Sequence, residues 1–292
     1  MKEITPTLAT ASAALPLEGA PSALGRPSGG WTPTLATASA ALPPEGALSA
    51  LGRPGGGLSR TRIKICGLTR EQDVDAAVAA GADAIGFVLY PKSPRYVPVD
   101  RAAALARRLP PFVTPVLLFV NEIATTVIAN CQAVAGSIAQ FHGDETPEQC
   151  WQATAQGLRP YLRAARIPLD PAAPRFDLVK FAQDHSTAQA ILLDAHVDGY
   201  GGGGKTFNWS LLPANVDAHL VLSGGLNAAN VTDGIVQVRA RCLPGRTLAV
   251  DVSSGVEADA EEGGTRKGIK DPDKIRQFVA AVRAADQLLA TS

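Results

Sequence analysis

Cys66 ends a short run, Arg62-Ile63-Lys64-Ile65, and is followed at once by Gly67, Leu68 and Thr69. A thiol at a strand tip can act as a base or nucleophile once ionised, which needs a favourable local field. The competing reading is a small buried hydrophobe, because free cysteine is among the most buried residue types. Asp194 closes a second apolar run, Ala190-Ile191-Leu192-Leu193, with a carboxyl that can give or take a proton. His142 follows Gln140-Phe141 and brings an imidazole, a common proton-transfer group. Arg95 follows Lys92-Ser93-Pro94, and its planar guanidinium can grip a carboxylate through two parallel hydrogen bonds. Asp251 adds a second carboxyl at the end of another apolar run. Each has a plain structural alternative. His142 could bond within its turn, Arg95 could be a solvated loop charge, and Asp194 could cap the loop behind it. Their common position, at or just beyond the ends of apolar runs, is what favours chemistry.

Two glycine-containing turns suit an anion. Ser223-Gly224-Gly225 follows one apolar run, and Ser253-Ser254-Gly255-Val256-Glu257 follows another and reads as the start of a short extra helix. Glycine lets backbone N–H groups approach an anion closely, and a helix N-terminus adds partial positive charge. Gly-Gly pairs also serve ordinary turns. The run Gly201–Gly204 before Lys205 lacks the GxxxxGK[ST] spacing of a P-loop and reads as a mobile loop.

Elements that would hold these groups alternate along residues 58–292. Candidate strands fall at 62–66, 83–89, 114–120, 137–141, 159–165, 190–194, 219–222 and 247–251, each followed by helical or loop sequence. Several helix starts carry caps: Thr69 with Gln72, Asn121-Glu122, Thr146-Pro147 with Gln149, Asn227, and Asp271-Pro272. The stretch 195–208 is Gly-rich and without clear period. Eight such units with short connections predict an α/β fold, a closed (β/α)8 TIM barrel, over an open sheet. In that fold the strand C-termini form the active face. This gathers Cys66, Arg95, Asn121, His142, Asp194, Gly224, Gly225 and the segment Asp251 to Gly255 on one side, with the last two loops in the usual phosphate position.

Composition bounds the rest. Lys plus Arg is 27 and Asp plus Glu is 27, so the chain is formally neutral, and nothing points to a nucleic-acid or membrane partner. No apolar run approaches the roughly 18 residues needed to span a bilayer. Cys66, Cys131, Cys150 and Cys242 form no CxxC pair, which argues against a zinc site and for the reducing cytoplasm. Residues 4–30 and 31–57 are a tandem repeat of period 27, agreeing at 23 positions and differing at Ile4/Trp31, Leu17/Pro44, Pro21/Leu48 and Ser28/Gly55. Two copies rich in Ala, Pro, Gly, Ser and Thr do not make a solenoid. Residues 1–57 are therefore expected to be a disordered tail unable to offset its ordering entropy, with residues 58–292 as the catalytic barrel.

Across roughly residues 60–285 the sequence closely resembles the phosphoribosylanthranilate isomerases of tryptophan biosynthesis. The matching segments occur in order: KICGLT (64–69), GADAIGFVLYPKSPRYV (81–97), LFVN (118–121), QFHGDET (140–146), LLDAH (192–196), GKTFNWSLL (204–212), LSGGLNAANV (222–231), DVSSGVE (251–257) and GIKDP (268–272). The resemblance implies a (β/α)8 barrel that converts N-(5-phosphoribosyl)anthranilate to 1-(2-carboxyphenylamino)-1-deoxyribulose 5-phosphate. It puts the general base on Cys66, the general acid on Asp194, the anthranilate-binding arginine on Arg95 and the phosphate-binding turns on Gly224, Gly225, Ser254 and Gly255. His142 and Asp251 match pocket-lining positions without a firm role. No metal or organic cofactor is called for, since the substrate's own imine is the electron sink. A monomer and a homodimer both remain open.

The chain departs from the pattern at Gly203, where the family commonly has threonine, and at 258–267, a longer segment expected to be a solvated loop. Cys242, on the opposite face, is expected to be structural. Two alternatives stay open here. One is a histidine-pathway sugar isomerase, which would use two carboxylates and show half-barrel symmetry. The other is a non-catalytic phospholigand-binding barrel, which would have no need of both Cys66 and Asp194.

Overall fold

A computed structural model describes residues 60–168, 176–196, 208–209 and 212–291. The 1–57 repeat and the Gly201–Gly204 run with Lys205 lie outside the described residues. Eight parallel strands close into a barrel in chain order: β1 (Arg62–Cys66), β2 (Ala84–Val88), β3 (Thr114–Phe119), β4 (Ile138–Phe141), β5 (Tyr161–Pro168), β6 (Ala190–His196), β7 (Leu220–Leu222) and β8 (Leu248–Val252). β8 closes on β1 with Arg62 opposite Ala249 and Lys64 opposite Asp251. Helices α1 (Glu71–Ala80), α2 (Val99–Ala106), α3 (Ala124–Ala133), α4 (Pro147–Ala153), α5 (Leu178–Asp184), α6 (Val231–Arg239) and α7 (Pro272–Thr291) surround it. None of the described helices is long and apolar enough to cross a membrane.

Most of the strands read as near-continuous apolar runs because both faces are covered, whereas β1, β4 and β5 carry Lys64, Gln140 and Arg163. Alternation sorts their side chains. Ile63, Ile65, Ile85, Phe87, Leu117, Phe119, Phe141, Ile191, Leu193, Leu222 and Val250 face outward into the main core against the helices. The inward set divides into two smaller clusters. Cys66, Val88, Leu118 and Val120 form the upper one, and Ala164, Ala190, Leu192 and Val221 the lower. The longest helix, α7, buries Ile275, Phe278, Val279, Val282 and Ala285 at helical spacing. It also fixes the start of β1, because Asp286 accepts hydrogen bonds from the Thr61 N–H (3.0 Å) and hydroxyl (2.6 Å).

Three expected caps do something else. Thr69 donates its hydroxyl to the Gly268 carbonyl (2.7 Å), and α1 begins after Arg70 with no side-chain cap. Asn121 accepts from the Asp144 N–H (2.7 Å), tying the β3 and β4 tips, and α3 begins after Ile123. Asn227 accepts from Ala229 N–H in a turn that precedes α6, whose N-cap is Asn230. In each case a partner in another segment or the local turn outcompetes the helix end for the polar side chain. Thr146 and Gln149 do form a capping box, and Asp271 accepts from the Asp273 and Lys274 N–H groups.

The segment 258–267 is not simply a solvated loop. It lies within an antiparallel hairpin, β9 (Glu257–Asp259) with β10 (Thr265–Lys270). Gly263 and Gly264, at φ +90° and +81°, supply the left-handed residues of its turn. Its inner end reaches the β1 tip through Gly268 and Lys270, and the Lys270 N–H donates to Asp73 of α1 (3.1 Å).

Candidate active site

The C-terminal ends of the strands enclose a cleft lined by Cys66, Val88, Tyr90, Ser93, Arg95, Leu118, His142, Asp194, Ser223, Gly224, Gly225, Leu226, Asp251, Ser253 and Ser254. Eight of the nine residues to which the resemblance gives a place in the site line it, while Asn121, also expected on this face, does not. Gly255 stands just behind: a side chain there would meet the Leu226 carbonyl at 1.9 Å, so its bareness lets the β8 turn lie against the β7 turn.

Cys66 and Asp194 reach the cleft from β1 and β6, on different sides of the barrel. His142, just beyond β4, spans toward Asp194. Its Nε2 is 2.9 Å from Asp194 Oδ2, and its Nδ1 is 3.0 Å from Gln140 Nε2. All three side chains are buried. The backbone carrying His142 is held from below by Arg163 of β5, whose guanidinium donates to the carbonyls of Phe141, Gly143, Ala164 and Glu145. Glu145 in turn accepts from Asn121 N–H (2.7 Å) and Gly143 N–H (2.9 Å). Glu145 and Arg163 thus tie the β3 and β4 tips to each other and to β5.

Arg95 is buried, which excludes a solvated loop charge. It donates through Nε to Glu257 Oε1 (2.7 Å) and through Nη2 to Glu257 Oε2 (2.9 Å). Gly268 N–H and Lys270 Nζ also reach Glu257 Oε1, at 2.8 and 3.3 Å. Burial opposes ionisation of Glu257, but Arg95 and Lys270 bring its carboxyl down to about 2. Burial, against the pull of Glu257, lowers Lys270 to about 8. Gly67, at φ +75°, clears the space for Arg95, whose Cδ would lie 2.6 Å from any Cβ there.

A second buried pair lies beneath Cys66: Lys64 Nζ is 2.7 Å from Asp251 Oδ1, and Ser223 Oγ donates to Asp251 Oδ2 (3.2 Å). Burial pushes the Cys66 thiol up, Lys64 pulls it down, and Asp251 pushes it up again; the net direction is upward. Lys64 itself is raised, because Asp251 and Cys66 together more than offset its burial.

The glycine turns sit beside the acid. Gly224 and Gly225 both have positive φ, +78° and +64°. Among the described residues no acceptor takes their N–H groups. A Cβ at Gly224 would lie 2.9 Å from Asp194 Oδ1 and 2.7 Å from the Ala195 nitrogen, so glycine alone leaves room for the carboxyl. Ser254 opens a single 3-10 turn, Ser254–Val256.

Sequence reasoning missed Lys64, Glu257, Lys270 and Arg163. The signal for Lys64 was present, since residues two apart on a strand share a face and Cys66 was already singled out. Glu257 and Lys270 lay within recognised motifs but gained meaning only from the hairpin that joins them.

A family model for N-(5'phosphoribosyl)anthranilate (PRA) isomerase matches residues 63–281. The chain is 61% identical over 233 residues to the N-(5'-phosphoribosyl)anthranilate isomerase of Methylibium petroleiphilum, covering 80% of this chain and 99% of that one. To the Dechloromonas aromatica protein of the same name it is 56% identical over 228 residues, with 78% and 99% covered. The solved phosphoribosyl anthranilate isomerase of Thermotoga maritima superposes with a TM-score of 0.61 at 37% identity, covering 77% of this chain and 99% of that chain. A phosphoribosyl anthranilate isomerase complexed with reduced 1-(o-carboxyphenylamino)-1-deoxyribulose 5-phosphate superposes at 0.59 and 34% identity, over 77% and 99%.

Proposed function

This chain belongs to the N-(5'-phosphoribosyl)anthranilate isomerase family and carries out that family's step of tryptophan biosynthesis, and we propose that Cys66 and Asp194 are the base and the acid of the rearrangement. The observation that carries the assignment is their placement: a thiol and a carboxyl, from opposite parts of the barrel, face one cleft that also holds Arg95 and the two glycine turns. The reaction needs one proton delivered and another removed. Asp194 protonates the ribose ring oxygen, which opens the ring to a protonated Schiff base. Cys66 as thiolate removes the C2′ proton, and the enolamine tautomerises to the ketone.

His142 holds Oδ2 of Asp194, leaving Oδ1 on the side of Gly224 to face the sugar. The unclaimed N–H groups of Gly224 and Gly225, with the Ser254 turn, take the phosphate. Gly255 contributes by close packing rather than by lining the cleft. Val88 and Leu118 give the anthranilate ring an apolar wall. Arg95, its fork fixed by Glu257, turns its remaining N–H groups to the anthranilate carboxylate. Asp251 acts from the floor of the site through Lys64 and Ser223.

Four free cysteines and a neutral chain support a cytoplasmic enzyme acting on a small phosphorylated substrate, as a monomer or a homodimer. Alkylation of Cys66 tests the site assignment. Iodoacetamide should abolish turnover, and reduced 1-(o-carboxyphenylamino)-1-deoxyribulose 5-phosphate should protect. Full activity with Cys66 quantitatively alkylated would remove it from the reaction.

A further inference from the structure

Lys64 precedes Cys66 by two residues on β1, so both side chains point into the barrel. Lys64 is almost wholly buried, does not line the cleft, and meets Asp251 across the β1–β8 seam. Opposite Cys66 on β2 stands Gly86. A Cβ on Gly86 would lie 2.7 Å from Cys66 Sγ and 3.0 Å from Lys64 Nζ. The bare glycine therefore leaves open a space that the thiol and the ammonium both border. A buried lysine is costly to keep, and a buried ion pair adds little stability over well-packed hydrophobic residues. An interior built of Ala, Leu and Val could have dispensed with both charges.

We propose that Lys64, anchored by Asp251, is a positioning residue that stabilises the thiolate of Cys66, and this rests on Cys66 being the base. In the step it serves, the C2′–H bond breaks and an S–H bond forms. The released electron pair becomes the C1′–C2′ double bond as the iminium π pair moves to nitrogen. Lys64 keeps its proton throughout. The charged and titratable groups facing Cys66 are Lys64 on β1, Tyr90 and Arg95 after β2, His142 after β4, Asp194 on β6, Asp251 on β8 and Lys270 on β10. Of the groups that act on the thiol, Lys64 exerts the strongest downward pull, ahead of the upward push of Asp251.

The test is the pH dependence of Cys66 alkylation by iodoacetamide, a neutral reagent, read on the Cys66 peptide of the full chain by mass spectrometry. Lys64→Met should raise the midpoint, by about one unit or more for a lost opposite charge at this range, so Cys66 reacts about tenfold or more slowly below both midpoints. Turnover should fall with KM near the wild-type value. Because Lys64→Met leaves Asp251 buried and unpaired, Lys64→Met/Asp251→Asn is measured beside it. Its midpoint should also lie above wild type, by less. A midpoint at or below the wild-type value in either variant overturns the role of Lys64. Cys66→Ala separates the two readings: near-normal turnover there would remove the base itself. An inactive Cys66→Ala with an unmoved Lys64→Met midpoint would remove only Lys64.

Discussion

Arg95 and Glu257 form a buried two-point pair, Nε to Oε1 at 2.7 Å and Nη2 to Oε2 at 2.9 Å, joining the loop after β2 to the hairpin after β8. The pair fixes the plane of the guanidinium at the edge of the cleft, so the N–H groups that Glu257 does not take are already oriented for an arriving carboxylate.

Arg95→Lys should lower kcat/KM about 10- to 100-fold, the cost of losing charge-assisted hydrogen bonds to a carboxylate, mainly through KM. Glu257→Gln should act in the same direction but less, because it loosens the fork without removing it. Steady-state kinetics of both variants checks this. Unchanged KM in both would take the anthranilate carboxylate away from Arg95.

The two turn glycines should respond differently. Gly225→Asp places negative charge in the proposed phosphate site, and should weaken competitive inhibition by inorganic phosphate. Gly224→Ala adds a methyl 2.9 Å from Asp194 Oδ1 and strains a backbone at φ +78°, so it should lower turnover and stability together. Inhibition constants and melting curves measure the two effects. Equal phosphate inhibition in Gly225→Asp would move the phosphate site elsewhere.

Strand positions were legible because most parallel strands covered on both faces read as near-continuous apolar runs; β1, alternating as Arg62-Ile63-Lys64-Ile65, ends at Cys66, as its sequence predicts. β5 and β6 run past the expected ends because they pair with each other as far as Pro168 and His196. Polar side chains at helix starts were less legible. Thr146 caps its own helix, but Thr69 and Asn121 bond to segments 199 and 23 residues away, which no local pattern encodes. The same holds for the site. Cys66, Asp194 and Arg95 are found by motif, whereas the ion pairs behind them depend on which strands become neighbours when the barrel closes.

The 1–57 repeat should be dispensable. Its composition offers few large apolar side chains, while β1 is anchored from the barrel's own side by Asp286 and Arg283 on Thr61. A chain beginning at Leu58 should match the full chain in melting temperature and turnover. A large drop in either would contradict this.

Stability should carry a histidine signature. Burial brings His185 down to about 4 from 6.5, with Arg163 adding to the effect. A base depressed in the folded state binds its proton first in the unfolded state, so stability falls as pH drops below 6.5 and the loss is complete near 4. Across that window the cost is about 3 kcal/mol at most. His185→Leu should flatten the pH dependence of urea unfolding there. A profile identical to wild type would mean that His185 is charged in the folded protein.

Cys66 is proposed to take the C2′ proton and Asp194 to give the ring-opening one. The most direct test is kcat at saturating N-(5'-phosphoribosyl)anthranilate for Cys66→Ala and Asp194→Asn, with His142→Ala alongside. General acid–base groups are typically worth about 10²–10⁴-fold, so both variants should lose at least about 10²-fold in kcat with little change in substrate binding. Cys66→Ser should fare as poorly, a hydroxyl being too weak an acid to supply the base form. His142→Ala should lose less than Asp194→Asn, since it only holds the acid in place. Near-normal kcat in Cys66→Ala with an inactive His142→Ala would contradict the account and hand the base to His142.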